Sequence, residues 1–367
     1  MLLVSLPGLA ALAALLFTWM QVGQANNELR ISEQGQITNR FNAAVRNLGS
    51  ESMDVRLGGI YALERIMHDS ARDHPTVVSV LSAYLRRHAS GAAAGTSAGG
   101  ALPADVDAVM NVLAGRSPEH DHGLSINLSH THLRGWAPAF SRTRRGINLT
   151  GADLAGTDLS QAGLDYAQLD DVSLGEANLS GASLFRAQLR RAQLMANLRD
   201  ASFLNADLTS ASFCSGSARD QCADLTDVSF EGADLSEAAL GQADLTKTTI
   251  CPPAYGSFLI EGEGAKKQRC ARLRGADLHG AKLAGLDLPG VDLSNAVLAK
   301  ADLARVDLRK ANLAGAELSH SDLSGARLSK ANLTKANLTG AKLTGAKLDG
   351  ARLDDVRGLP SSFRPPS

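Results

Sequence analysis

The sequence predicts a mainly β protein in which a four-sided β-helix follows a helical N-terminal region. Leucine returns every five residues without a break in phase from Leu273 to Leu353. A small residue, usually alanine, stands two positions before most of these leucines. Residues 26–89 lack this period and show the apolar spacing of helices instead. These observations separate a repeat region from a helical region.

The five-residue period fits neither a helix of 3.6 residues per turn nor the alternation of a free strand, so it indicates a repeat architecture. Four units form a square coil of about 20 residues, and coils stack at about 4.8 Å. The leucine points inward, the small residue lies near the corner, and the other three positions face solvent. The earlier run from Leu149 to Phe213 slips by one residue between Leu194 and Leu198.

Units such as ANLAG, ANLTK and ANLTG resemble the A(D/N)LXX signature of the pentapeptide-repeat family. The resemblance covers residues 128–353 and implies a right-handed quadrilateral β-helix, which we place at 126–357. It also implies a non-enzymatic scaffold that mediates protein–protein interaction. The alternative is a DNA-mimicking inhibitor or protector of DNA gyrase, since some soluble family members resemble duplex DNA in shape and charge.

The first 24 residues carry no charged side chain and include about 20 apolar residues, which predicts a transmembrane helix with Trp19 as interfacial anchor. The alternatives are a signal peptide cleaved after Ala25, although a basic n-region is lacking, and a buried soluble helix. Arg30, Arg40 and Arg46 follow the segment, and the positive-inside rule then places the repeat domain in the cytoplasm. The front of the chain is similar to that of bacterial membrane-anchored pentapeptide-repeat proteins, so we expect a single-pass membrane protein.

Residues 25–90 are predicted to be α-helical, with a last helix that starts at Pro75 and ends in a basic turn. Residues 91–125 are predicted to form a linker with a short helix capped by Asp105. Residues 358–367 are expected to be a disordered tail. Because the end of a β-helix exposes unpaired strand edges, we expect the preceding helices to cover the first coil, whereas the tail offers little cover for the last.

Insertions at 214–222 and 251–270 interrupt the repeat, and each is bracketed by two cysteines. Each insertion leaves and re-enters the coil at one corner, so Cys214 and Cys222, like Cys251 and Cys270, should be near enough for a disulfide. Free thiols are the alternative, because stable disulfides favour oxidising compartments. The cysteine spacing does not predict a zinc site.

The sequence contains no motif of a nucleotide-binding loop, a nucleophile elbow or a metalloprotease helix. Two His-x-His pairs, His120 with His122 and His130 with His132, are expected to be solvated rather than metal-binding. We therefore predict no enzymatic activity and no cofactor.

The formal net charge is −1, which does not indicate a nucleic-acid partner. Acidic and basic residues number 15 and 6 in residues 149–250, but 12 and 17 in residues 251–357. Residues 20 apart stack, so the units centred on Leu308, Leu328 and Leu348 form one side. Its outward basic residues, which we call the basic side, are Arg309, Lys310, Arg327, Lys330 and Lys347, opposed there by Asp307 and Asp349.

The basic side predicts an anionic partner: an acidic protein, anionic lipid headgroups or the acidic half of a second copy. The last of these would be self-association. The alternative is that these side chains are merely solvated. The identity of the protein partner does not follow from the sequence.

Overall fold

The computed structural model describes residues 6–90, 102–138, 146–214, 222–251, 270–360 and 363. The chain divides into two compact units, Met1–Val77 and Val78–Ser367. The first unit contains helix α1 (Leu6–Leu48) and helix α2 (Met53–Asp69), which pack on each other. Gly59 permits their close approach, because a Cβ atom there would lie 2.8 Å from the carbonyl oxygen of Ala44.

Among the described residues, no helix combines the length and the hydropathy that crossing a membrane requires. The predicted transmembrane helix of residues 1–24 is therefore not supported, and part of that segment lies outside the described residues. Helix α1 also continues through the boundary predicted after residue 24 and ends only at Leu48.

The boundary between the two units falls within helix α3 (His74–His88), which is followed by α4 (Ala104–Gly115) and a short 3₁₀ turn (Pro118–His120). The predicted cap of α4 is wrong by two residues: Pro103 is the N-cap, and Asp105 lies inside the first turn. Its buried carboxylate accepts a hydrogen bond from the hydroxyl of Tyr84, at 2.5 Å, and so holds α4 to α3. The predicted linker at 91–101 lies outside the described residues.

The repeat region folds into a β-helix whose four sides are ladders of parallel bridges. Each side contributes one bridge residue per coil, the residue just before the inward leucine, rather than a longer strand. Most bridge partners lie one full coil of four units apart, as the sequence predicts. One ladder runs through Asn127, Asp153, Ser173, Gln193, Ser212, Ala239, Asp277, Val297, Glu317, Asn337 and Arg357; the other three end at Lys342, Lys347 and Arg352.

Each corner of the coil is a tight turn closed by a backbone hydrogen bond, such as that from Ala326 N to Leu323 O at 3.0 Å. The third residue of the turn has a positive φ, +70° at Gly325 and +61° at Lys330, which is the signature of a type II turn. Glycine meets this requirement without strain, whereas other residues adopt the left-handed conformation at a cost. The interior is filled by leucines that are fully buried over most of the stack, with Phe203, Phe213 and Phe230 packed together at its middle.

The irregularities of the sequence are absorbed at corners. The one-residue slip shortens a single unit, so the bridge from Asn178 to Asn197 spans one residue fewer than a regular coil. The first insertion leaves the coil at Cys214 and returns at Cys222, and these two residues form an antiparallel bridge.

The N-terminal end of the β-helix is closed by side chains from the preceding helical segment. Arg86 of α3 donates to the carbonyl of Asn127 at 2.6 Å, and Arg116, just after α4, donates to that of Asn148 at 2.5 Å. Arg116 is buried and pairs with Asp121 at 3.0 Å. Burial lowers the pKa of Arg116, and the charge of Asp121 opposes this shift.

At the C-terminal end, the tail contributes one side chain that the sequence analysis did not foresee. Leu359, predicted to be disordered, is buried at 7 % exposure. Residues 361–362 and 364–367 of the predicted disordered tail lie outside the described residues.

Candidate interaction surfaces

The basic side is formed by one ladder of the β-helix and the corner beside it. Asp307, Arg327 and Lys347 are successive bridge partners on the ladder that ends at Lys347. Lys310 and Lys330 occupy the corner that follows, both with φ of +61°. The structure therefore brings the residues of the predicted side together in consecutive coils.

Asp307 organises the two arginines of this side. Arg309 contacts its carboxylate at 2.6 Å and Arg327 contacts it at 3.2 Å. Burial favours the neutral acid, but hydrogen bonds from Arg309 and the charges of both arginines outweigh it, so the pKa of Asp307 is lowered. The two arginines are thus committed to an internal carboxylate, which charge counting along the sequence could not show.

The three lysines of the basic side differ from its arginines. Lys310, Lys330 and Lys347 are exposed, and within the described part of the chain none forms an ion pair. Their ammonium groups are therefore the charges that an incoming anion can neutralise.

The acidic half of the repeat region contains ion pairs between adjacent coils. Arg190 binds Asp170 at 2.6 Å, and Arg191 binds Asp171 at 2.5 Å, in both cases from one coil to the next. The hydrogen bond from Arg191 lowers the pKa of Asp171. These pairs reduce the acidic field that the composition of residues 149–250 suggests.

The cysteines are joined as the corner geometry predicts. Cys214 is bonded to Cys222 and Cys251 to Cys270, with Cα–Cα distances of 4.0 and 3.9 Å. Stable disulfides favour oxidising compartments, so this pairing argues against the cytoplasmic placement predicted from charge.

The two His-x-His pairs lie just before and within the first coil. His130 lies at a corner with φ of +56°, and His132 is a bridge residue of the first coil. Within the described residues, no group of three or more His, Cys, Asp or Glu side chains is arranged to hold a metal ion. Nothing in the described part of the chain indicates an enzyme.

Comparison with known proteins agrees with this architecture. The family model described as "Pentapeptide repeats" matches in eight copies, at residues 145–174, 164–195, 223–250, 271–309, 290–325 and 321–357. HetL of Nostoc sp. strain PCC 7120, a pentapeptide-repeat protein involved in heterocyst differentiation regulation, is 33 % identical; the match covers 63 % of this chain and 89 % of HetL, with a TM-score of 0.33. The chain belongs to the pentapeptide-repeat family.

Two further solved structures show similarity. The pentapeptide-repeat protein alr5209 from Nostoc PCC 7120 is 44 % identical over 21 % of this chain and 64 % of its own, with a TM-score of 0.21. QnrB1, a plasmid-mediated fluoroquinolone resistance protein, is 18 % identical over 60 % of this chain and 90 % of its own, with a TM-score of 0.18. No curated protein sequence matches the chain. The fold of the family is the right-handed β-helix.

The sequence analysis missed two groups of residues that lie at the ends of the β-helix. Arg86 and Arg116 bind backbone carbonyls of the first coil, and no periodic signal marks them. At the other end, the last bridge residue of every ladder is basic. Counting forward along the sequence in steps of 20 residues could have identified these four residues.

Proposed function

We propose that this pentapeptide-repeat protein is a non-enzymatic scaffold that binds an acidic protein partner along its basic side. The observation that carries the proposal is the contrast within that side. Its two arginines share the carboxylate of Asp307, whereas Lys310, Lys330 and Lys347 are exposed without an acidic partner among the described residues. Like charges stacked one coil apart, at about 5 Å, repel each other, and an acidic partner relieves this repulsion.

The test is a triple reversal, Lys310→Glu, Lys330→Glu and Lys347→Glu. Arg327 is left unchanged because its reversal would place a second carboxylate beside Asp307. The matched control is Lys300→Glu, Arg305→Glu and Lys335→Glu, which changes the net charge equally at exposed corners elsewhere. Proximity labelling from the intact wild-type protein should label acidic proteins that the first variant no longer labels and that the control variant still labels. A purified candidate partner should then bind the control variant as it binds the wild-type protein.

Unchanged labelling in both variants would contradict the proposal. Equal losses in both would indicate a response to net charge rather than a defined side. If the wild-type protein instead sediments as a larger species at low salt, and the first variant does not, the occupant is the acidic half of a second copy.

We also propose that the N-terminal helix contacts a lipid surface. Leu15, Phe17 and Trp19 of α1 are 71, 62 and 76 % exposed, and exposed apolar clusters mark sites of association. Co-flotation of the full-length protein with liposomes should fall when these three residues are replaced by Gln. Ile31→Gln, at a position of the same helix that is 67 % exposed, is the control. Flotation that does not change in the triple variant would refute the lipid contact.

The alternative of a DNA mimic requires a long acidic surface, and no observation favours it in a β-helix with basic residues in its second half. A gyrase supercoiling assay tests it directly, since inhibition or protection by the full-length protein at micromolar concentration would support mimicry.

A further inference from the structure

The two ends of the β-helix differ in backbone polarity. In a regular unit, the backbone N–H groups of the inward leucine and of the residue two places later donate to carbonyl groups of the next coil, toward the C-terminal end. Leu303 N donates to Asp322 O and Arg305 N to Ser324 O, both at 2.8 Å. A single bond runs back, from Asp322 N to Ala301 O at 3.0 Å. The C-terminal end of a ladder therefore has two N–H groups for each carbonyl, and the N-terminal end has the reverse.

At the N-terminal end, the chain itself satisfies part of this excess of carbonyl groups. The guanidinium groups of Arg86 and Arg116 donate to the carbonyls of Asn127 and Asn148 in the first coil. Cationic donors thus lie where the backbone presents acceptors.

The C-terminal end presents the opposite polarity, and within the described residues donors on three of its four sides stay unsatisfied. The backbone N–H groups of Leu343, Leu348 and Leu353 have no acceptor among the described residues, whereas every equivalent leucine one coil earlier donates to the last coil. Leu348 and Leu353 are half-buried, although Leu328 and Leu333 above them are fully buried. The last coil therefore exposes both apolar surface and unpaired donors.

The charge of the last coil adds to this polarity. The final bridge residue on each of the four ladders is basic, and we call these residues the basic end rung: Lys342, Lys347, Arg352 and Arg357. The preceding rung carries Asp322, Arg327, Asn332 and Asn337 at the same positions.

The acidic residues of the last coil lie on its corners and sides, at Asp349, Asp354 and Asp355. The pairs of the end rung are exposed and loose, with Lys342 3.5 Å from Asp322 and Arg352 3.8 Å from Asp354. Exposed pairs of this kind hold their partners weakly, so the cations are accessible to a competing carboxylate.

We propose that the C-terminal end of the β-helix binds an extended acidic segment of another protein, which lies across the last coil as a further rung. Carbonyl groups of the segment accept from the free backbone N–H groups, as in other cases of strand addition. Its carboxylates meet the basic end rung, and its apolar side chains cover Leu348 and Leu353. This surface is separate from the basic side apart from Lys347, and it does not depend on the proposed function.

A second copy of the chain does not fit this end. Tail-to-tail contact would bring together two ends that each carry two N–H groups for every carbonyl, and it would place a basic rung against a basic rung. Head-to-tail contact would meet a first coil whose carbonyls at Asn127 and Asn148 are already bound by Arg86 and Arg116. Charge complementarity therefore selects an acidic partner over self-association.

The experiment measures binding of a fluorescent eight-residue peptide of alternating Glu and Val to the full-length protein at low salt. The end variant is Lys342→Gln, Arg352→Gln and Arg357→Gln, which leaves Lys347 unchanged. The control variant is Lys300→Gln, Arg305→Gln and Lys335→Gln, with the same change of net charge. We expect about a tenfold loss of affinity in the end variant and less than about a twofold loss in the control.

Hydrogen exchange provides the second readout, because bound peptide should slow exchange at one or more of the amides of Leu343, Leu348 and Leu353, which lie on successive sides of the coil. A Lys/Val peptide should not bind. Equal losses of affinity in both variants, no peptide binding, or unchanged exchange at the three amides would each overturn the proposal. Equal competition by inorganic polyphosphate would show that charge alone is recognised and would also overturn the assignment of an extended polypeptide.

Discussion

Replacing Leu303 with aspartate should unfold or loosen the β-helix, whereas replacing the adjacent Asp302 with asparagine should have almost no effect. Leu303 is 0 % exposed, while Asp302 is exposed and accepts only a local bond from the amide of Ala304 at 3.1 Å. An asparagine oxygen can accept the same bond. The two neighbouring substitutions thus probe the inward and outward positions of one unit.

The magnitude follows from two costs at Leu303. Loss of a buried leucine side chain costs about 2–5 kcal/mol, as in a change to alanine. A buried carboxyl group has its pKa raised by up to about 3–5 units, and each unit costs about 1.4 kcal/mol at neutral pH. Leu303→Asp should therefore lower the free energy of unfolding by more than about 5 kcal/mol, against about 0.5 kcal/mol or less for Asp302→Asn.

Thermal melts followed by circular dichroism measure the two effects, with Leu303→Ala as an intermediate. Because each coil contacts only its neighbours, the damage can stay local, so hydrogen exchange should also be measured coil by coil. Equal losses for Leu303→Asp and Asp302→Asn would refute the inward and outward assignment.

Gly325→Ala should lower the free energy of unfolding by about 1 kcal/mol, because φ is +70° and the new Cβ would lie 3.3 Å from the Cγ of Arg305. Lys335→Gly, at φ of +62°, should raise it by up to about 1 kcal/mol, and chemical denaturation measures both changes. The pKa of Asp307 is lower in the folded protein than in the unfolded chain, where it is near 4. The stability that this shift contributes is present above the unfolded pKa and is lost as pH falls through the folded pKa. Asp307→Asn should therefore make the stability depend less steeply on pH in the acidic range. Arg116→Leu should cost about 3–5 kcal/mol because it breaks a buried ion pair and removes the hydrogen bond to the carbonyl of Asn148. Arg191→Leu breaks an exposed pair and should cost less than about 1 kcal/mol in the same denaturation series. Reduction of both disulfides, which close loops of 8 and 19 residues, should lower the melting temperature by an amount equivalent to about 2.5–3 kcal/mol per bond, and a smaller shift would show that the insertions add little.

The sequence predicted the features of this molecule that repeat. The five-residue period predicted the inward leucines, the stacking of every fourth unit and the slip at Leu194. The proximity of Cys214 to Cys222 follows from the same reasoning, because both flank one corner. Periodic packing therefore determined the fold and the position of the basic side.

Features that depend on single long-range contacts could not be predicted. Arg116 reaches a carbonyl 32 residues away, and Arg86 reaches one 41 residues away, which no local pattern encodes. Asp105 has the residue type of a helix cap, but its hydrogen bond with Tyr84 gives it a role in packing instead. Leu359 is buried within a tail whose composition suggested disorder.

The same spacing of one coil has opposite electrostatic consequences in the two halves of the repeat. In the first half it places Arg190 above Asp170, so these two side chains neutralise each other. In the second half it places Lys330 above Lys310, and both remain without an internal partner in the described residues. A solenoid can carry such like-charge stacks because its stability comes from the buried leucines and backbone ladders. The exposed lysines Lys310 and Lys330 are thus available for binding, and the two proposed protein-docking surfaces lie in this half.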